Sequence, residues 1–209
     1  MQKLSHENFI KAREYIFANS DEINQAWFRY NFESDDTTVF MNVLAKYQHE
    51  NGGFGGLVYE FDYQGPCLKC TEHAFRYIFY LKDKPSADHP VVKKMMKYVL
   101  GKYRHDIGHF GQMEEPALNE QPHVRWWAYN ADECPPIADE DERIQKYSPN
   151  GQAGIAAFIA QYSELVPEDL YGDIIKYPVE KILRYYDKES QLYRTRSVDD
   201  SFDYDDQSP

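Results

Sequence analysis

The sequence predicts an all-α protein, and three features of the chain support this fold class. Apolar residues recur every three or four positions through most of its 209 residues, as on the buried face of a helix. No segment alternates strictly between apolar and polar residues, as a half-buried strand would. A stretch of 13 residues also recurs 56 residues later, which is typical of stacked helical units. We expect residues 1–198 to form one domain and residues 199–209 an acidic tail.

Apolar stripes predict the helices in chain order, and several stripes follow a residue suited to cap a helix. Ser5 precedes the first stripe, and Asp35 or Asp36 precedes the third, where a side-chain oxygen can accept a first-turn amide. The clearest helix opens at Pro90, whereas Pro178 is expected to kink or split the last one. The stripes run over residues 9–17, 23–28, 39–47, 74–81, 91–103, 153–162 and 175–186.

The internal repeat links each helix end to a turn. Residues 43–55 and 99–111 are identical at eight of 13 positions, and residues 182–193 form a fainter third copy that lacks the glycines. Each copy ends a helix at a tyrosine, reverses the chain, and then places an aromatic residue after the turn. Glycine suits such a reversal because it adopts positive φ and allows close backbone contact. Helical units of this kind must stack or close into a ring, since one unit alone cannot bury its apolar face.

Charge and composition exclude several classes of protein. The chain carries 23 Lys and Arg against 35 Asp and Glu, a net charge of −12 that opposes binding to nucleic acids or anionic membrane surfaces. Aromatic residues make up 16% of the chain, which is typical of a folded protein and unlike a disordered acidic segment. We expect no nucleic-acid partner and no membrane span, because no window approaches about 18 consecutive apolar residues. The polar N-terminus and the odd number of cysteines, three, favour a reducing, cytoplasmic location.

Several motifs together resemble the α/α-toroid superfamily, which includes protein prenyltransferase β subunits and squalene and terpenoid cyclases. They are Gly-Gly-Phe-Gly at 52–55, Glu-Phe-Asp at 60–62, Pro-His-Val-Arg-Trp-Trp at 122–127 and Ser-Pro-Asn-Gly at 148–151. The chain is most similar to small bacterial proteins of that fold, which have no established activity. The resemblance implies a helix-pair barrel, and the length of the chain implies that this ring is open or incomplete.

The resemblance implies a candidate site in the loops that follow the glycine turn. Loops at the helix ends of a toroid line the mouth of a central cavity, where Glu60 and Asp62 would act as catalytic acid and base. His49, at the turn itself, would contact a bound substrate. The other interpretation is that the acidic residues cap the N-termini of neighbouring helices, where negative charge is stabilised.

The segment at 122–127 predicts the second part of the site. His123 would join the two carboxylates in catalysis, and the adjacent Trp126 and Trp127 would line the substrate pocket. Aromatic walls suit either an isoprenoid carbocation or the face of a sugar. The alternative is structural, with the tryptophans separating helices and His123 capping a turn.

Two further patterns receive no functional assignment. Cys67, Cys70 and His73 have a spacing seen among zinc ligands, and Cys134 follows an acidic pair, but the chain has no second C-x-x-C and zinc needs four ligands. The small bacterial relatives usually have serine where this chain has Cys67 and Cys70, so we predict no metal site. The aspartates at 199–206 match magnesium and cyclase motifs, as a solvated acidic tail easily does by chance. The sequence identifies no cofactor.

Three functions remain open at this stage. The chain binds or transforms an apolar ligand in a central aromatic cavity, acts on a carbohydrate, or serves as a non-catalytic scaffold. An apolar ligand requires a deep apolar pocket with an acid or metal at one end. A sugar requires an open polar groove flanked by two carboxylates. A scaffold would show a filled core and satisfied histidines, and the sequence leaves the oligomeric state open.

Overall fold

The described part of the protein is mostly helical, which confirms the all-α prediction. The structure is a computed structural model that describes residues 4–108, 110, 112–113, 115–124, 128–129 and 152–193. Its α-helices are α1 (His6–Asn19), α2 (Glu22–Arg29), α3 (Thr37–Leu44), α4 (Leu68–Tyr80), α5 (Pro90–Gly101), α6 (Gln152–Gln161) and α7 (Glu168–Tyr185). The shorter elements are a π-helical segment at Tyr30–Ser34, 3₁₀ turns at Ala45–Tyr47, Pro116–Glu120 and Ser163–Leu165, and the antiparallel strands β1 (Tyr186–Asp187) and β2 (Leu192–Tyr193).

Side chains cap the helix starts at predicted positions. Ser5 Oγ accepts the Asn8 amide at 3.2 Å, and Asp36 Oδ1 accepts the Val39 amide at 3.1 Å. The sequence offered Asp35 as the alternative N-cap of α3. In the structure Asp35 instead ends the π-helical segment, with a φ of 41°. Each capping bond satisfies a first-turn N–H group that has no partner within its own helix.

The helices pack pairwise around an apolar core. α1 packs on α2, α2 on α3, α4 on both α5 and α6, and α6 on α7. Trp27 of α2 contacts both α3 and α4. The centroid of its ring lies 5.2 Å from that of Phe40 on α3 and 5.1 Å from that of Tyr77 on α4. Aromatic pairs at these separations stabilise the core beyond the area that they bury. The largest fully buried side chains are Phe40, Phe54, Phe158, Ile23, Met41, Leu44, Leu68, Ile78, Leu81 and Met95.

The first two repeat copies share one turn geometry. Gly52 and Gly108, equivalent at the offset of 56, both have positive φ, 96° and 66°. The phenylalanines two positions later, Phe54 and Phe110, are both buried in the core. The repeat in the sequence is therefore also a repeat in backbone conformation and in burial.

A hairpin replaces the glycine turn in the third copy. Helix α7 is continuous and contains Pro178, so the predicted split does not occur. After α7, the carboxylate of Asp187 accepts the Glu189 amide at 3.0 Å and the Ser190 hydroxyl at 2.7 Å. This aspartate holds the reversal between β1 and β2, as Asp commonly does in turns that lack glycine.

Gly172 lies on the exposed side of α7, where an added Cβ would meet nothing within 4 Å outside its own stretch of helix. Replacing Gly172 with alanine is expected to raise the free energy of unfolding by about 1 kcal/mol, because alanine loses less backbone entropy in a helix. Urea denaturation followed by circular dichroism measures the change. Gly154→Ala in α6 is a control of opposite sign, because its Cβ would lie 2.3 Å from Glu72 Oε1. A Gly172→Ala protein less stable than its parent would contradict this placement.

Candidate functional site

The two segments that predict the site lie side by side in the structure. Residues 60–62 pair with residues 122–124 around an isolated antiparallel bridge between Phe61 and His123. Two main-chain hydrogen bonds, of 2.7 and 3.0 Å, flank the bridge. We call this arrangement the loop pairing. It joins the loop after the first glycine turn to the chain that follows the Pro116–Glu120 3₁₀ turn.

The loop pairing distributes the predicted catalytic residues over two faces. Directly opposed residues of an antiparallel pair place their side chains on the same face, and the flanking residues point to the other. Phe61 is 5% exposed and shares its face with the half-buried His123. Glu60 and Asp62 lie on the opposite face, and both are exposed. The polar face thus carries the two carboxylates, and the apolar face carries the histidine.

Gln64 connects the polar face to His49 of the glycine turn. Its Nε2 donates to Asp62 Oδ1 at 3.1 Å, and its carbonyl accepts from His49 Nε2 at 2.9 Å. Gly56 leaves room for this side chain, because a Cβ at that positive-φ residue would lie 2.5 Å from Gln64 Oε1. His49 and Asp62, predicted to belong to one site, therefore contact the same residue.

Carbonyl groups determine which ring nitrogen of each histidine carries the proton. Nδ1 of His123 donates to the Gln121 carbonyl at 2.7 Å, so Nε2 is the acceptor in the neutral ring. Nε2 of His49 donates to the Gln64 carbonyl, which leaves Nδ1 as the acceptor. The neutral ring of His123 therefore carries its acceptor lone pair on Nε2.

The tryptophans of the predicted pocket, Trp126 and Trp127, fall outside the described residues. Cys134 and the acidic tail at 199–209 do so as well. The aromatic wall that the sequence places after His123 therefore stays a prediction.

A buried charged cluster on α4 is the part of the structure that the sequence motifs did not indicate. Glu72 is 1% exposed and forms an ion pair with Arg76, one turn further along α4. Its second oxygen lies 3.7 Å from Lys69 Nζ and 3.8 Å from His73 Nδ1. We call these four residues the α4 cluster. Lys69 and Glu72 are buried, whereas the Arg76 side chain is 48% exposed. The two buried charges depend on their partners far more than a surface ion pair does.

Glycine at position 154 allows α6 to approach the α4 cluster. Because a Cβ there would lie 2.3 Å from Glu72 Oε1, the carboxylate packs directly against the α6 backbone. Burial lowers the pKa of His73, although the Glu72 carboxylate opposes that shift, so the neutral ring is favoured. One feature of the sequence could have indicated the α4 cluster. Positions 69, 72, 73 and 76 are three or four residues apart, which places their side chains on one side of a helix.

Two buried thiols lie at the first turn of α4, next to the loop that leads to the polar face. Cys67 is the N-cap of α4, and its sulfur accepts the Cys70 amide at 3.3 Å. The neighbouring Cys67 thiol, with a smaller contribution from the nearby backbone of Leu57 and Val58, lowers the pKa of Cys70. The interaction with Cys70, together with burial, raises the pKa of Cys67. Cys70 is therefore the more acidic of the two thiols.

Known proteins provide no guide to this site. Comparisons with models of protein families, with curated proteins and with solved structures find no match. Among the helices described, none is both long enough and apolar enough to cross a bilayer. Over the same part of the chain, no three His, Cys, Asp or Glu side chains are grouped so that they could hold a metal ion. The geometry of the loop pairing is therefore the basis for assigning a function.

Proposed function

We propose that the protein binds a polar, sugar-like small molecule on the polar face of the loop pairing. The observation that carries this proposal is the exposure of Glu60 and Asp62 on one face of a segment held by main-chain hydrogen bonds to residues 122–124. Carboxylates accept strong, charge-assisted hydrogen bonds from the hydroxyl groups of a sugar. Two exposed carboxylates also suit an open polar groove better than the deep apolar pocket that an isoprenoid requires.

A second candidate, an apolar isoprenoid ligand, is favoured by the other face. Phe61 is buried in the core and stands opposite His123, whose Nε2 is available as an acceptor. An apolar ligand would lie along this face, against the wall that Trp126 and Trp127 are predicted to form. This candidate corresponds to the terpenoid-cyclase-like toroid that the sequence motifs resemble. The shared turn geometry of the first two repeat copies, at Gly52 and Gly108, supports the toroid as the proposed fold.

Each face would support different chemistry if the bound molecule reacts. Glu60 and Asp62 would serve as acid and base on the polar face, whereas His123 would serve as the base on the apolar face. We propose binding alone and assign no reaction or cofactor. The two described cysteines are free thiols, which supports the expected cytoplasmic location.

Thermal denaturation in the presence of ligands tests the two faces separately. We expect a neutral oligosaccharide such as cellotetraose to raise the melting temperature and farnesyl diphosphate to leave it unchanged. Glu60→Gln and Asp62→Asn should each weaken sugar binding at least about tenfold, since a hydrogen bond to a charged group contributes about 1.5–3 kcal/mol. His123→Ala should leave sugar binding intact. Glu50→Gln is the matched control, because Glu50 is an exposed acid of the same loop outside the pairing.

The opposite pattern would replace this proposal. Stabilisation by farnesyl diphosphate that is lost in His123→Ala would assign the ligand to the apolar face. A protein that responds to neither class of ligand would be better described as a scaffold. Circular dichroism of each variant monitors folding, and a collapse of both Glu60→Gln and His123→Ala would show that these residues are structural.

A further inference from the structure

We propose that Cys67 and Cys70 form a reversible disulfide, which makes the first turn of α4 a redox-sensitive site. Cys67 is the N-cap of α4, and Cys70 follows three residues later in the first helical turn. The Cys70 amide donates to the Cys67 sulfur at 3.3 Å, so the Cys67 side chain is turned towards the residue with which it would form the bond. Both cysteines are buried at this helix start, and a disulfide there needs a Cβ–Cβ separation of about 3.5–4.5 Å.

Cys70 is the sulfur that starts the reaction. It lies in the first turn of α4, where the helix N-terminus favours negative charge. The neighbouring Cys67 thiol and the nearby backbone of Leu57 and Val58 also lower the pKa of Cys70. Cys67 is in the opposite situation, because its interaction with Cys70 and its burial raise its pKa. Cys70 is therefore the more acidic thiol of the pair and the one that attacks as a thiolate.

A buried tyrosine lies within electrostatic range of the two thiols. Tyr98 is 6% exposed, and its hydroxyl has no hydrogen-bond partner within the described residues. Burial raises the pKa of Tyr98, and the neighbouring charges of Glu115, Cys67 and Cys70 raise it further, so the hydroxyl stays protonated. An unsatisfied buried hydroxyl is costly. An oxygen atom bound to the Cys70 sulfur would give this donor the acceptor that it lacks.

With a peroxide as the oxidant, the disulfide forms in two balanced steps. The Cys70 thiolate attacks one peroxide oxygen, the O–O bond breaks, and Cys70 becomes a sulfenic acid while the leaving hydroxide takes up a proton to become water. The Cys67 sulfur then attacks the Cys70 sulfur, the S–O bond breaks, and the hydroxide leaves as water with the proton of Cys67. Together the two thiols lose two electrons, and the peroxide is reduced to two water molecules.

Oxidation would alter the loop that leads to the polar face. The backbone of Leu57 and Val58 stabilises negative charge on Cys70, and a neutral disulfide is a weaker hydrogen-bond acceptor than a thiolate. Leu57 and Val58 are buried, so their amides gain no water in exchange while the loop stays closed. We therefore expect faster hydrogen exchange at residues 57 and 58 in the oxidised protein. This change does not depend on which ligand the polar face binds.

Oxidation of the full chain carrying Cys134→Ser tests the disulfide without the third cysteine. After hydrogen peroxide treatment of the folded protein, we expect a mass lower by two hydrogen atoms, loss of both alkylatable thiols, and full recovery with dithiothreitol. In this background, Cys67→Ser should stop at a sulfenic acid that dimedone traps, because serine cannot complete the disulfide. It should also react at least about tenfold faster than Cys70→Ser, since the thiolate is the nucleophile.

Tyr98→Phe separates the role of the hydroxyl from that of the fold. We expect it to slow oxidation by peroxide several-fold and to leave oxidation by diamide unchanged, because diamide adds no oxygen to sulfur. The melting temperature should not fall, since the lost hydroxyl has no partner in the described part of the chain. Equal slowing with both oxidants would remove Tyr98 from the reaction.

Three results would overturn the disulfide. The first is a folded protein whose thiols both remain alkylatable after peroxide while the urea-unfolded protein forms the disulfide. The second is irreversible oxidation to a sulfinic acid, or cross-linking between chains, in place of the intramolecular bond. The third is an equal rate of oxidation for Cys67→Ser and Cys70→Ser, which would remove the assigned order of attack.

Discussion

Glu72→Ala is expected to lower the free energy of unfolding by about 3–5 kcal/mol, the loss typical of breaking a buried ion pair. Glu72 is 1% exposed, and its carboxylate faces Lys69, His73 and Arg76. Deleting it deprives the buried Lys69 ammonium of this counter-charge and leaves a cavity against α6. A domain of this size has a stability of only about 5–15 kcal/mol, so urea denaturation monitored by circular dichroism will resolve the change.

Two further variants show whether the loss comes from burial. Glu7→Ala removes an exposed ion pair with Lys11, whose side chains are 77% and 67% exposed, and should cost less than about 1 kcal/mol. Replacing Lys69 with methionine and Glu72 with leucine together should recover much of the stability, because no buried charge then lacks its partner. If Glu72→Ala destabilises no more than Glu7→Ala, the α4 cluster is not an interdependent buried network.

Gly52→Ala is expected to lower the free energy of unfolding by at least about 2 kcal/mol. The φ of Gly52 is 96°, a conformation that costs an L-residue about 1–2 kcal/mol. A Cβ there would also lie 2.0 Å from the Lys94 carbonyl oxygen, so the turn or α5 must shift. Thermal and urea denaturation of the variant measure the loss.

Gly101→Ala is the matched control on the same helix, α5, away from the contact with Gly52. Gly101 is the last residue of α5, and a Cβ there would meet nothing within 4 Å. Alanine should therefore leave stability unchanged or raise it slightly. Similar losses in Gly52→Ala and Gly101→Ala would show that α5 itself, and not its contact with the glycine turn, is sensitive to substitution.

Features that depend on neighbouring residues were predictable from the sequence. The caps at Ser5 and Asp36 and the turns at Gly52 and Gly108 follow from local chemistry and from the repeat. The hairpin after α7 was not predictable, because strands of two residues are too short to show an alternating pattern. Pro178 does not split α7, because proline weakens a helix locally while tertiary packing decides whether the helix continues; the predicted kink stays a prediction.

The candidate site was predictable only in part. The motifs at 60–62 and 122–124 indicated one site, but the faces onto which their side chains point depend on the register of the bridge between Phe61 and His123. The α4 cluster was missed because charged residues on a helix normally face water. Glu72 is buried because Gly154 admits the backbone of α6, and no spacing within α4 reveals a contact made so far along the chain.

The loop pairing has a consequence for how readily its ligand could change. Its hydrogen bonds run from the Asp62 amide to the Pro122 carbonyl and from the Val124 amide to the Glu60 carbonyl, so no side chain takes part. Under the proposed function, substitutions at 60 and 62 are expected to alter what the surface recognises while the main-chain framework beneath it stays in place. Specificity and stability would then depend on different atoms, so recognition could be redesigned at two positions without rebuilding the fold.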